Sequence, residues 1–217
     1  MSRDIRIPLL CGAVAGPLFV FVVLIQSYTV PGFDPRLDHL SLLSLGPSGF
    51  VQIANFVSCG ILNLVYALGL WRLLHGGPSG TFAPIFIAIY GVGLVTVGVF
   101  TTDPARGFPP GSVTPAGPSW HGAIHALIAI PVFVGDAAAL AVMARYFFSR
   151  HEPRWGVYVA ASALLMLVFF YASFTSTAVF ARFLDLGVLV GWLGAAVVAI
   201  KLLNSPLPMH RARELST

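Results

Sequence analysis

Two histidines four residues apart, His121 and His125, are followed eleven residues later by Asp136 in a stretch otherwise made almost entirely of Ala, Ile, Leu, Val, Phe and Gly. On an α-helix the histidines are separated by about 40°, and Asp136 returns to within about 20° of His125, roughly 16 Å further along the axis. Imidazoles at i and i+4 have a metal-ligand spacing. With Asp103 and either His39 or Asp38 they make a zinc-type set of nitrogen and oxygen donors. Without a metal the same groups serve acid–base catalysis or substrate binding, and a histidine at a helix end also serves simply as a hydrogen-bonding anchor. Asp103, in Thr101-Thr102-Asp103-Pro104, suits either a reacting carboxylate or the cap of a turn. Asp136 is either a protonated general acid or a packing group bonded to a neighbour such as Asn63.

A second polar stripe runs through Asn55, Cys59, Asn63 and Tyr66, at i, i+4, i+8 and i+11. Tyr158, Ser162, Ser173 and Ser176 trace a weaker third one. Asn55, Asn63, Tyr66 and Tyr158 are candidate substrate-binding residues. The alternative is hydrogen bonding from helix to helix, which is common where bundles cross lipid.

The elements that must position these groups follow from composition. Of 217 residues, 57% are hydrophobic and 9% charged, and the mean hydropathy is +0.87. A soluble domain carries about 25% charge, so this chain lacks the surface to cover a water-facing globule. The 12 Lys and Arg are scattered and form no phosphate-tracking stripe, which excludes a nucleic-acid partner despite the net charge of +4. Cys11 and Cys59 lie inside apolar runs, so no disulfide framework is expected.

Six stretches reach the roughly 20 apolar residues that cross a bilayer: 7–28, 49–74, 82–100, 119–147, 156–176 and 186–203. The expected fold is all-α, a single six-span membrane domain. Nine of the 12 basic residues, including Arg72, Arg145, Arg150, Arg154, Arg211 and Arg213, fall on the side of the termini. The positive-inside rule then places both termini in the cytoplasm and the chain in the plasma (inner) membrane. Asp38, Asp103 and Asp185 fall near the opposite face. The two loops there, 29–48 and 101–118, are about twice as long as those on the terminal side, rich in Pro and Gly, and carry Asp34, Asp38, His39 and Asp103.

Those loops also carry a resemblance. Ser41-Leu42-Leu43-Ser44-Leu45-Gly46-Pro47-Ser48-Gly49-Phe50, Gly98 to Pro104 with Gly107 to Gly111, Gly122-Ala123-Ile124-His125, Trp155-Gly156-Val157-Tyr158 and Val190-Gly191-Trp192 resemble the integral-membrane family catalogued as domain of unknown function 998. The resemblance implies a six-helix membrane bundle in which Ser41, Asp103 and His125 belong to a shared pattern, adding Ser41 to the substrate-binding candidates. It departs from the pattern at Asp38-His39 and at Asp185, where a basic residue is expected. A fainter similarity is to the transmembrane hydrolases that include alkaline ceramidases, which arrange Ser, Asp and His around zinc.

The chain is therefore expected to be a membrane-embedded enzyme acting on a lipid or hydrophobic, prenyl-type small molecule. Its acid–base candidates are Asp103, His125, Asp38, Asp136 and Asp185, around a cavity opening to the outer face. The alternatives are a zinc-dependent amide or ester hydrolase using His39, His121, His125 and Asp103, and a non-enzymatic binder, transport accessory or assembly factor.

Overall fold

The computed structural model describes residues 2–74, 76–175 and 180–205. It contains six long helices: α1 (Arg3–Thr29), α2 (Gly49–Leu73), α3 (Pro78–Val99), α4 (Trp120–Ser149), α5 (Pro153–Ser173) and α6 (Phe180–Leu203). All six are long and apolar enough to cross a membrane. A turn of 3-10 helix, Leu40–Ser44, precedes α2, and the described residues form no strand.

Local chemistry sets the ends. Pro78 and Pro153 open α3 and α5 at the first turn, where a missing N–H costs nothing. Ser119 caps α4 by accepting the Gly122 N–H at 3.1 Å. α6 begins six residues before the expected Leu186, because Arg182 and Asp185 continue the helix at its interfacial end instead of interrupting it. Ser176, the expected end of the fifth span, lies outside the described residues, as do Arg211 and Arg213.

Each helix packs on the next in sequence, and α6 packs back on α1, so the bundle is a closed ring. Its outward side chains are themselves apolar. Phe21, Leu127 and Leu164 are each more than 60% exposed, the inversion expected where the surrounding solvent is lipid. This is an integral membrane protein. Small residues let the backbones approach: a Cβ on Gly60 would lie 2.7 Å from the Gly91 carbonyl, and one on Gly91 2.9 Å from that of Gly60, locking α2 to α3.

The interior differs between the two ends. At the end holding the termini it is filled by Leu9, Leu70, Leu140, Phe147 and Ala199. Toward the other end an aromatic layer takes over, with Phe19 stacked on Trp192 at 4.8 Å and Tyr90 edge-on to Trp192 at 5.3 Å. Above that layer the two long loops close the ring. Leu42 and Leu43 of the 3-10 turn are fully buried. Phe33 meets Phe108 edge-on at 5.5 Å, and Asp38 faces Arg106 at 4.0 Å.

Candidate functional site

Beneath the loops lies a cavity of about 280 Å³. Phe19, Phe56, Tyr90, Phe133, Phe170 and Trp192 supply most of its wall, and His39, Ser41, Thr102 and His125 line it as well. Because the four polar residues belong to the loops and to the first turns of α4, they gather at the capped end. The cavity is apolar below and hydrogen-bonding above.

His125 is held by a need of its neighbour. The last carbonyls of a helix have no partner within it, and just past the end of α3 the Phe100 carbonyl receives His125 Nδ1 at 2.8 Å while the Thr101 carbonyl receives His121 Nδ1 at 3.0 Å. Both imidazoles therefore present Nδ1–H to the backbone, which leaves Nε2 as the basic nitrogen. His125 lines the cavity, whereas His121 sits outside it against Trp120, with ring centres 5.7 Å apart. His39 lies on the loop before the 3-10 turn. Burial, reinforced by the neighbouring His125, pushes its imidazole down to about 4, so at neutral pH it is uncharged.

Asp103 is engaged elsewhere. Its Oδ2 accepts the Ser119 N–H at 2.8 Å and its Oδ1 the Ser119 hydroxyl at 2.5 Å. The hydroxyl bond is the main reason its carboxyl titrates below the usual range. The Ser119 N–H and the nearby His121 and His125 add to the effect. A Cβ on Gly122 would collide with this carboxylate, so only glycine fits there. Asp38 is likewise part of the lid: its Oδ2 accepts the Asp34 N–H at 2.9 Å and its Oδ1 faces Arg106.

Of the acid–base candidates, then, His125 lines the central cavity and Asp38 and Asp103 hold the loops around it. Asp185 lines a separate groove between α1 and α6, where its Oδ1 accepts the Leu40 N–H at 3.2 Å. Asp136 lies below the cavity, 1% exposed, with neither oxygen hydrogen-bonded to a partner among the described residues. Its Oδ2 points at α6, where a Cβ on Gly191 would stand 2.5 Å away. Asn63 does not reach it and donates to the Cys59 carbonyl instead.

Among the substrate-binding candidates only Ser41 lines the cavity. Asn55 belongs to a seam between α1 and α2, donating to the Phe19 carbonyl and to Gln52, which also accepts from Gln26 at 2.9 Å. The Tyr66 ring packs on Gly12 of α1. Tyr158 is 40% exposed near the terminal end, beside Trp155. The second stripe thus faces α1, not the histidines. Gln26 and Gln52 escaped the sequence reading, although Gln52 precedes Asn55 by three residues and so extends its stripe. Thr102 was missed too. The proposed zinc set of His39, His121, His125 and Asp103 is not assembled: among the described residues no three His, Cys, Asp or Glu side chains are placed to hold one metal ion.

A closed ring of six membrane-crossing helices under a two-loop lid defines a polytopic α-helical membrane protein. Its sequence matches the family described as "Protein of unknown function (DUF998)" over residues 13–201, and the chain belongs to that family. No curated protein and no solved structure matches it. The family match includes every residue that lines the cavity.

Proposed function

We propose that the protein takes a lipid or other hydrophobic small molecule, of prenyl type or similar, into the central cavity and acts on it by acid–base chemistry centred on His125. The observation that carries this reading is the division of the cavity, with aromatic walls for an apolar body and His39, Ser41, Thr102 and His125 gathered where a polar head would lie. The Nδ1–H bond to the Phe100 carbonyl sets the His125 tautomer, with Nε2 as the nitrogen that would take a proton. Neutral His39 adds a donor or acceptor without adding charge. The excess of basic residues on the terminal side supports cytoplasmic termini in the plasma membrane, with the lid facing outward.

A second reading, a binder without turnover, draws support from Asp38 and Asp103. Both carboxylates are committed to holding the loops and the start of α4. Mass spectrometry of apolar molecules retained by the purified protein separates the readings. The wild type is expected to hold a defined ligand that Ala129→Trp, filling the cavity, excludes. His125→Gln is expected to hold it unconverted where the wild type releases a product. The same unaltered ligand in both proteins would retire the enzyme and leave the binder. No ligand in either would retire both.

A further inference from the structure

The seam between α6 and α1 carries a second cavity, a groove of about 390 Å³ lined mainly by apolar residues of both helices, with Arg36 and Arg182 at its lid end. From Tyr28 down to Phe19 it follows nine residues of α1, about 13 Å at helical rise. That is close to the ~15 Å of one leaflet of hydrocarbon. Its size and depth suit the upper part of an acyl chain.

The two arginines at the mouth point to the head of that molecule. Arg182 Nε donates to the Arg36 backbone carbonyl at 3.1 Å, which holds the Arg182 side chain where α6 meets the first long loop, and Arg36 lines the same end of the groove. Neither makes an ion pair among the described residues, whereas the third arginine at this end, Arg106, faces Asp38. Two cations at one end of a groove draw an anion toward it. Arginine at the interface is also the side chain best matched to phosphate oxygens. The other polar groups facing the groove are the Ser27 and Tyr28 hydroxyls and Asp185, which lies about one turn deeper than Arg182 and accepts the Leu40 N–H.

We infer that the α1–α6 groove is a binding site for a membrane lipid with a net-negative phosphate headgroup, its phosphate at Arg36 and Arg182 and a chain lying down the groove toward Phe19. The site goes beyond the central-cavity reading and does not depend on it. Phe19, Leu40 and Val188 line both cavities, so the lipid stands one layer of side chains from the central one.

The test uses the full chain purified in neutral detergent and titrated with phosphatidylglycerol or phosphatidylcholine, with bound lipid counted by native mass spectrometry and folding followed by thermal unfolding. The wild type is expected to prefer phosphatidylglycerol by about tenfold or more, the scale set by two interfacial arginines. Arg36→Gln/Arg182→Gln should bring both lipids to the same level. Val23→Trp, which fills the groove, should remove the preferred site, and Arg106→Gln should leave the preference intact. Arg36→Gln alone retains the backbone carbonyl that holds Arg182, and it replaces the double variant if that does not fold. Equal binding of the two lipids by the wild type would overturn the proposal. So would a preference that survives loss of the arginines or filling of the groove, or one that falls as far with Arg106→Gln.

Discussion

The Asp103 carboxylate lies across the first turn of α4 and takes both the N–H and the hydroxyl of Ser119. Through that clamp a loop residue sets where α4 begins, and with it the position of His125 against the end of α3. Asp103→Asn is expected to lower stability by roughly 1–2 kcal/mol, the scale of a lost cap or charged hydrogen bond. Ser119→Ala should cost a similar amount, and the double variant little more, because the two residues form one interaction. Thermal unfolding in detergent reads all three. A stable Asp103→Asn protein with lost turnover would instead make Asp103 a catalytic residue.

The His39 imidazole gives the protein a defined acid sensitivity. Its folded value of about 4 lies below the ordinary 6.5, so the unfolded chain binds more protons between those values. The His39 contribution to stability should fall as pH drops through about 6.5 and level off below about 4. Asp103 is shifted downward from 3.8, so the stability it contributes is lost only at still lower pH and does not confuse the window. His39→Gln should flatten the slope of melting temperature between pH 6.5 and pH 4. An unchanged slope would show that His39 titrates normally.

Asp136 separates packing from chemistry. Because neither of its oxygens has a partner among the described residues, Asp136→Asn should fold as well as the wild type, and Asp136→Leu should match or exceed wild-type stability. Turnover that survives Asp136→Asn removes it from the catalytic set. A folded, ligand-bound but inactive Asn variant would make it a proton donor beneath the cavity floor.

Topology is open to a direct reading with a membrane-impermeant thiol reagent on sealed cells, after Cys11 and Cys59 are replaced. A cysteine at Val113, 84% exposed on the lid, should label, and one at Ser149, exposed at the opposite end, should not. Equal labelling would overturn the cytoplasmic placement of the termini.

The six spans were legible because each exceeds the length that lipid demands and Pro, Gly and charge mark the breaks. The start of α6 was misread for the same reason: Arg182 and Asp185 look like punctuation, yet a helix carries charges readily where it leaves the hydrocarbon. Periodicity placed Asn55, Cys59, Asn63 and Tyr66 on one face correctly, and all four are buried. It gave a direction around α2 but not the helix met in that direction, and α1 proved to be the partner. Likewise the i, i+4 spacing of His121 and His125 was real, but its use as a pair of latches on the carbonyls beyond α3 depends on tertiary placement that no spacing encodes. Tyr158 shares a helix face with deeper residues while lying near the wrong end of the bundle, a distinction of height that angular arithmetic omits.

The ring has five junctions tied by loops and one, between α6 and α1, joined by packing alone. Neighbours in sequence can pair as hairpins as soon as each pair is synthesised, but this last contact waits for nearly the whole chain. It is the helix pairing of highest contact order in the ring. Until α6 arrives, the inward faces of α1 and α2, with Gln26 and Gln52 at the upper end, have no closed interior to occupy. Loss of α6 should therefore expose an open arc prone to pairing with other membrane helices, whereas loosening the α1–α6 contact in the finished protein strains no loop. Substitutions along this junction are accordingly expected to act on biogenesis more strongly than equivalent changes between α2 and α3.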